Sequence, residues 1–130
     1  MLIKAVKRAY HATVKAIKNT GRSPKWRLLA RGFIKSHPNC AACGAVSSLQ
    51  VHHIIPFHLD PMLELEESNL VVLCQLGDID CHLHIGHGSS FRAYNPLLRD
   101  HLARLVIDPS CRAAVIAEAR ANRRYSVQVC

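Results

Sequence analysis

Leu49-Gln50-Val51-His52-His53-Ile54-Ile55-Pro56, Asn69-Leu70-Val71-Val72-Leu73-Cys74 and Cys81-His82-Leu83-His84-Ile85-Gly86-His87 are the three stretches that decide how this chain folds. The first two are short, rich in Val, Ile and Leu, and read as a strand and its returning partner. Pro56 ends the regular pairing of the first strand, because proline has no N–H to give to a ladder. Phe57 to Ser68 reads as an acidic connection between the strands. The third stretch begins a helix or turn whose length Gly86 and Gly88 limit.

Just upstream, His37-Pro38-Asn39-Cys40-Ala41-Ala42-Cys43-Gly44 places two thiols on a tight turn, with Gly44 allowing the backbone to reverse. Cys74 and Cys81 follow among the histidines. No uninterrupted apolar segment at the N-terminus suggests export, so the expected compartment is a cytoplasm that keeps thiols reduced. Metal ligation is then favoured over disulfides, and Cys40, Cys43, Cys74 and Cys81 form a candidate closed tetrahedral Zn²⁺ site. Unligated buried thiols are the plainer reading. Cys111 reads as a small packing residue and Cys130 as a free terminal thiol.

Two neighbouring histidines on a strand leave by opposite faces, so His52 and His53 cannot share one job. One can hold a metal while the other acts on water or substrate. His82, at the start of the third stretch, can complete the metal site. Asn69, just before the returning strand, could lock the hairpin through the backbone near these histidines. Taken singly, each histidine is more simply a satisfied core or surface imidazole. His11, His37 and His101 read as surface residues, and His58 as a turn residue.

Outside this core the chain reads as helical. Residues 2–19 carry Ile3, Val6, Tyr10, Val14 and Ile17 on one stripe, with lysines on another. A second helix is expected to begin near Ser23, with Pro24 at its first position, and to run to about Lys35. Asn95-Pro96 and Asp108-Pro109 each read as a cap followed by a first-turn proline, giving two C-terminal helices.

The charge is unevenly spread. The net charge is +8, yet residues 1–59 hold ten Lys and Arg and no acid, and six of the nine acids fall between Asp60 and Asp80. Such segregation suits a polyanionic partner that meets selected faces. Solubility alone is the bland alternative. The basic face of the first helix could track phosphates through Lys4, Lys7, Lys15 and Lys18. It could also be merely solvated, or lie on a membrane or target an organelle. No apolar run approaches the ~20 residues of a membrane span.

In their order, CAAC, VHHIIP, ESNLVVLC and CHLHIGH resemble the HNH (ββα-metal) endonuclease family in its zinc-knuckle, four-cysteine form. The upstream RSPKW and downstream YNP extend the likeness from Arg22 to Pro96. The resemblance implies an α+β fold: a small ββα-metal (His-Me finger) core with a structural zinc knuckle, flanked by N- and C-terminal helices. One domain is expected over residues 1–130, divided into a basic helical extension (1–36), the knuckle and core (37–95) and the C-terminal helices (96–130).

By the same resemblance His53 stands at the general-base position and His52 and His82 at metal-ligand positions. Asn69 stands at the family's structural asparagine. The usual pattern sets the third ligand three or four residues after the second. Here His87 is five away and His84 two away, with His87 preferred. The second cysteine pair also departs, being C-x6-C where C-x2-C is common. The implied cofactors are a structural Zn²⁺ and a catalytic Mg²⁺, Mn²⁺, Ni²⁺ or Zn²⁺. The implied substrate is DNA, most simply double-stranded, with room for a companion protein that supplies specificity. Arg92 could clamp a neighbouring phosphate; a surface arginine without a role is the other reading.

A non-catalytic, zinc-stapled nucleic-acid-binding module is the alternative. It explains the cysteines and the charge but not an extra imidazole beside a three-histidine set. The basic first helix yields a prediction of its own. Replacing Lys4, Lys7, Lys15 and Lys18 with Gln should weaken DNA binding about equally on any sequence. The slope of log affinity against log salt should flatten by roughly 0.9 for each phosphate that is no longer neutralised. A salt titration that gives the unaltered slope would show the face to be merely solvated.

Overall fold

In a computed structural model the structure describes residues 2–125, with side chains for 3–13 and 21–125. The side chains of Lys15, Lys18, Val14 and Ile17, and the whole of Cys130, lie outside the described residues. At the centre is a two-stranded antiparallel hairpin, β1 (Leu49–His53) and β2 (Leu70–Cys74), in a register that pairs Leu49 with Cys74 and His53 with Leu70. The long connection between them carries two 3₁₀ turns, Pro61–Leu63 and Glu67–Asn69. Asp60 caps the first, its Oδ1 accepting from Met62 N at 3.2 Å.

Strand alternation divides the core. Leu70 and Val72 pack with Phe33, and around them lie Trp26, Leu29 and Val51. The helix α2 (Trp26–Ser36) supplies Trp26, Leu29 and Phe33, which repeat at helical spacing and cover one face of the hairpin. On the other side Leu73 packs with Cys40, Cys81, Ile85, Leu98, Leu105 and Val115, and Cys74, where the strand ends, joins the same cluster. This second layer holds the cysteine turn, a π-helical turn at His82–Gly86, and the helices α3 (Leu98–Ile107) and α4 (Arg112–Asn122). A hairpin this small cannot stand alone; burying both faces makes it a core.

Several expectations shift. The second helix begins at Trp26, because Ser23, Pro24 and Lys25 form a turn closed by Trp26 N donating to Ser23 O at 3.1 Å. The C-terminal helices pack on the π turn and on each other. Gly88 makes this approach possible: at φ +59 it lies so close to α4 that a Cβ would sit 2.7 Å from Ala119 O. A short pairing of β3 (Ala93–Tyr94) with β4 (Arg124–Tyr125) closes the far end and has no signature in so few residues.

The first helix, α1 (Leu2–Thr20), lies against the Pro61–Leu63 turn. Its apolar stripe is open where described, with Ile3 71%, Val6 63% and Tyr10 43% exposed. A periodic stripe reports that a face exists, not what covers it. Among the described residues no helix is long and apolar enough to cross a membrane.

Candidate active site

β1 delivers its two histidines to opposite sides, as alternation requires. His53 turns toward α2 and stacks on Trp26, with ring centroids 4.4 Å apart. His52 turns toward the π turn, 5.1 Å from the His82 ring and 4.8 Å from the His87 ring. One ligand atom from each of His52, His82 and His87 falls within 4.8 Å of the others. The five-residue interval between His82 and His87, too long for one α-helical turn, is spanned by the π turn. His87 N donates to His82 O at 3.0 Å, an i→i+5 bond that sets the two side chains one above the other. His84 points away, with its Nδ1 3.1 Å from Ser89 Oγ. Gly86 fits because it lies against His52; a Cβ there would be 3.2 Å from His52 Cε1 and 3.0 Å from Leu73 Cδ1.

The nitrogens of the cluster fit a cation. His87 Nδ1 donates to Ala93 O at 2.7 Å, leaving Nε2 as a lone pair. That Nε2 lies 3.2 Å from His82 Nε2. His82 Nδ1 lies 2.9 Å from the Gln75 amide nitrogen, and the same amide turned over offers its oxygen there. With the amide so turned, Nδ1 would donate to it and two Nε2 lone pairs would face one another. His52 Nε2 is buried without a hydrogen-bond partner. An orphaned buried nitrogen beside two converging lone pairs is what a shared metal would satisfy. Burial pushes His52 well below the usual imidazole range and His82 down to about 4, with His87 lowered too. All three are therefore neutral near pH 7, the form that ligates.

His53 is held differently. Its Nε2 donates to the Glu64 carbonyl at 2.9 Å, which fixes the tautomer and leaves Nδ1 to accept. Burial lowers this ring as well, opposed by that carbonyl and assisted by Arg22. Asn69 is buried and pairs with Ile55 like a strand neighbour: Oδ1 accepts from Ile55 N at 2.8 Å and Nδ2 donates to Ile55 O at 3.0 Å. It thus pins the segment that leaves β1 just after His53.

His52, His53, His82 and His87 all open into one cleft of about 390 Å³, lined also by Arg22, Trp26, Phe57, His58, Phe91 and Arg92. Arg92 is exposed at its edge, whereas Lys4 and Lys7 are exposed elsewhere on α1 and do not line it. Arg22 had no role on sequence grounds alone. Its guanidinium lies 4.7 Å from the Phe57 ring centroid and 3.7 Å from Glu64 Oε2. Glu64 is itself buried, and its Oε1 accepts from Ser23 N at 2.7 Å. The signal was the lone tryptophan four residues after Arg22, but only folding brings either residue beside His53.

The four cysteines also converge. Cys40 and Cys43 sit on the turn closed by Gly44 N to Cys40 O at 2.9 Å, with Gly44 at φ +79. Cys74 ends β2 and Cys81 precedes the π turn, and all four sulfurs lie within 4.8 Å of one another. The six-residue excursion between the last two is tied down, as Arg112 donates to Cys81 Sγ at 3.1 Å and to Ile79 O at 2.6 Å. Asp80 caps the π turn by accepting from Leu83 N at 2.9 Å. The hydrogen bond between Cys40 and Cys81 lowers the Cys40 thiol and raises that of Cys81. This cluster could hold a metal with no open position.

Residues 39–88 match the model of the family described as HNH endonuclease. This segment belongs to the HNH family. No curated protein and no solved structure matches the chain. The HNH match spans both clusters and His53, and the hairpin with its π turn is the small ββα-metal arrangement. One more histidine is reassigned by the fold: His101, expected at the surface, is buried behind the HNH segment at 1% exposure.

The Asn69 pairing is testable through stability. Asn69→Ala strands the Ile55 N–H and C=O beside a buried site and should lower unfolding free energy by about 2–3 kcal/mol. Denaturant unfolding measures this directly, and an unchanged midpoint would show the pairing to be dispensable.

Proposed function

We propose that this chain is a metal-dependent endonuclease that hydrolyses phosphodiester bonds in DNA. The observation that carries the reading is that His53, with Nε2 committed to a carbonyl, shares one cleft with a three-imidazole set. A base and an open three-ligand site side by side are what hydrolysis needs and a binding module does not. His52, His82 and His87 would hold the catalytic ion. An all-imidazole set suits Zn²⁺ or Ni²⁺ better than Mg²⁺, with Mn²⁺ between. Bound there, a divalent ion supplies charge that stabilises the phosphate oxygens and the departing 3′-oxygen.

The chain's own residues do the rest. His53 Nδ1 takes a proton from water as its oxygen attacks phosphorus; the P–O3′ bond breaks, leaving a 5′-phosphate and a 3′-hydroxyl that takes a proton from solvent. Arg22, held between Phe57 and Glu64, and Arg92 at the edge are placed to grip phosphate oxygens. Asn69 keeps His53 in register. Double-stranded DNA is the substrate that best fits the basic residues ahead of the core, and a companion protein could supply sequence specificity. Zn²⁺ is the ion proposed for the four thiolates, as a closed tetrahedral sulfur site favours it.

Two outcomes follow. His53→Ala should slow plasmid cleavage by roughly 100-fold or more while fold, metal content and DNA binding stay intact. Cleavage at near the wild-type rate would remove His53 from the chemistry. Elemental analysis after dialysis against a weak chelator should find about one Zn²⁺ retained at the thiolates, with unfolding on its removal by a strong one. A folded protein free of metal would contradict a structural zinc.

A further inference from the structure

Behind the π turn lies a chain of hydrogen bonds, centred on two buried side chains, that the chemistry above does not use. Asn95 N donates to Gly86 O at 3.0 Å and Asn95 Nδ2 to Ile85 O at 3.0 Å. Oδ1 accepts from Leu97 N at 2.9 Å. A backbone N–H can only donate and a carbonyl can only accept, so these partners fix which end of the amide is nitrogen. The second hydrogen on Nδ2 faces His101 Nδ1 at 2.8 Å. His101 Nδ1 must therefore accept, and the ring proton lies on Nε2, which donates to Glu118 Oε2 at 3.1 Å. Asn95 and His101 are each 1% exposed.

Ile85 and Gly86 are the last residues of the π turn, between His82 and His87. Gly86 rests against His52, and His87 follows it directly. Whatever sets these two carbonyls sets how the turn presents His82 and His87 to His52.

We propose that His101 is a positioning residue for the three-imidazole site: its Nδ1 lone pair orients Asn95, and Asn95 holds the π turn in the shape that brings His52, His82 and His87 together. The inference rests on reading that cluster as a metal site. It assigns the role to one nitrogen of one ring, which packing alone would not. Asn at 101 keeps an acceptor where Nδ1 lies, whereas Gln places its amide near Nε2 and leaves Asn95 without its partner.

The test titrates Co²⁺ into protein whose thiolate site is already filled with Zn²⁺, reading visible absorbance. Wild type should bind one further ion. His101→Asn should bind within about threefold of wild type, and His101→Gln about 10–100-fold more weakly, the usual effect of losing a partner behind a ligand. If His101→Gln fails to keep its Zn²⁺ and fold, Asn95→Asp carries the same expectation, since it keeps Oδ1 but loses both donors. Equal losses in the Asn and Gln variants, or none in either, would overturn the proposal. Absence of a second ion in wild type would instead overturn the metal reading itself.

Discussion

Adjacent side chains on a strand diverge, and every part of the site depends on where β1 sends His52 and His53. One ring must reach the π turn and the other must reach α2, with less than 10% of either residue exposed. That division holds only while β1 stays in register with β2, because a slip of one residue would exchange the two faces. Asn69 secures the register from the β2 end by bonding Ile55 as a strand would. The hairpin is thus less a scaffold for the site than its sorting device.

The π turn is the second constraint. Widening one helical turn is unfavourable in isolation, since its hydrogen bonds are poorer and its core looser. Here it is overdetermined: Asp80 caps its start, Asn95 takes its last two carbonyls, and Gly86 lets it settle on His52. The cysteine cluster joins the same pieces from behind, since its sulfurs come from the turn before β1, the end of β2 and the residue that opens the π turn. A metal held there would tie the hairpin to the element that carries two of the three imidazoles.

Electrostatics explain why these groups can coexist. Four histidines around one cleft would repel one another if charged, but burial lowers each of them. The site is thus a set of neutral nitrogen donors set in a basic protein, and such a set could hold a cation. Arg22 supplies fixed charge at the rim, and Glu64 links it to His53: the carboxylate faces Arg22 while the same residue's carbonyl takes His53 Nε2–H.

What could be read from the order of residues was local and chemical. The succession of Cys40, Cys43, His52, His53, Asn69, Cys74, Cys81 and His82 was enough for the hairpin, the cysteine cluster, the opposite directions of the paired histidines and the lock by Asn69. These follow from strand alternation, turn chemistry and ligand type, which are properties of neighbours along the chain. Folding settled what depends on distant segments meeting. The choice of His87 over His84 needed the π turn, whose widening is imposed by Asp80, Asn95 and its packing against His52. Arg22, Trp26 and Glu64 join the site only because α2 lies on the His53 face of the hairpin. His101 has the look of a surface residue on α3 until α4 closes over it. Ile3, Val6 and Tyr10 on α1 show the converse: periodicity fixes which residues share a face, but only packing between distant elements fixes whether that face is covered.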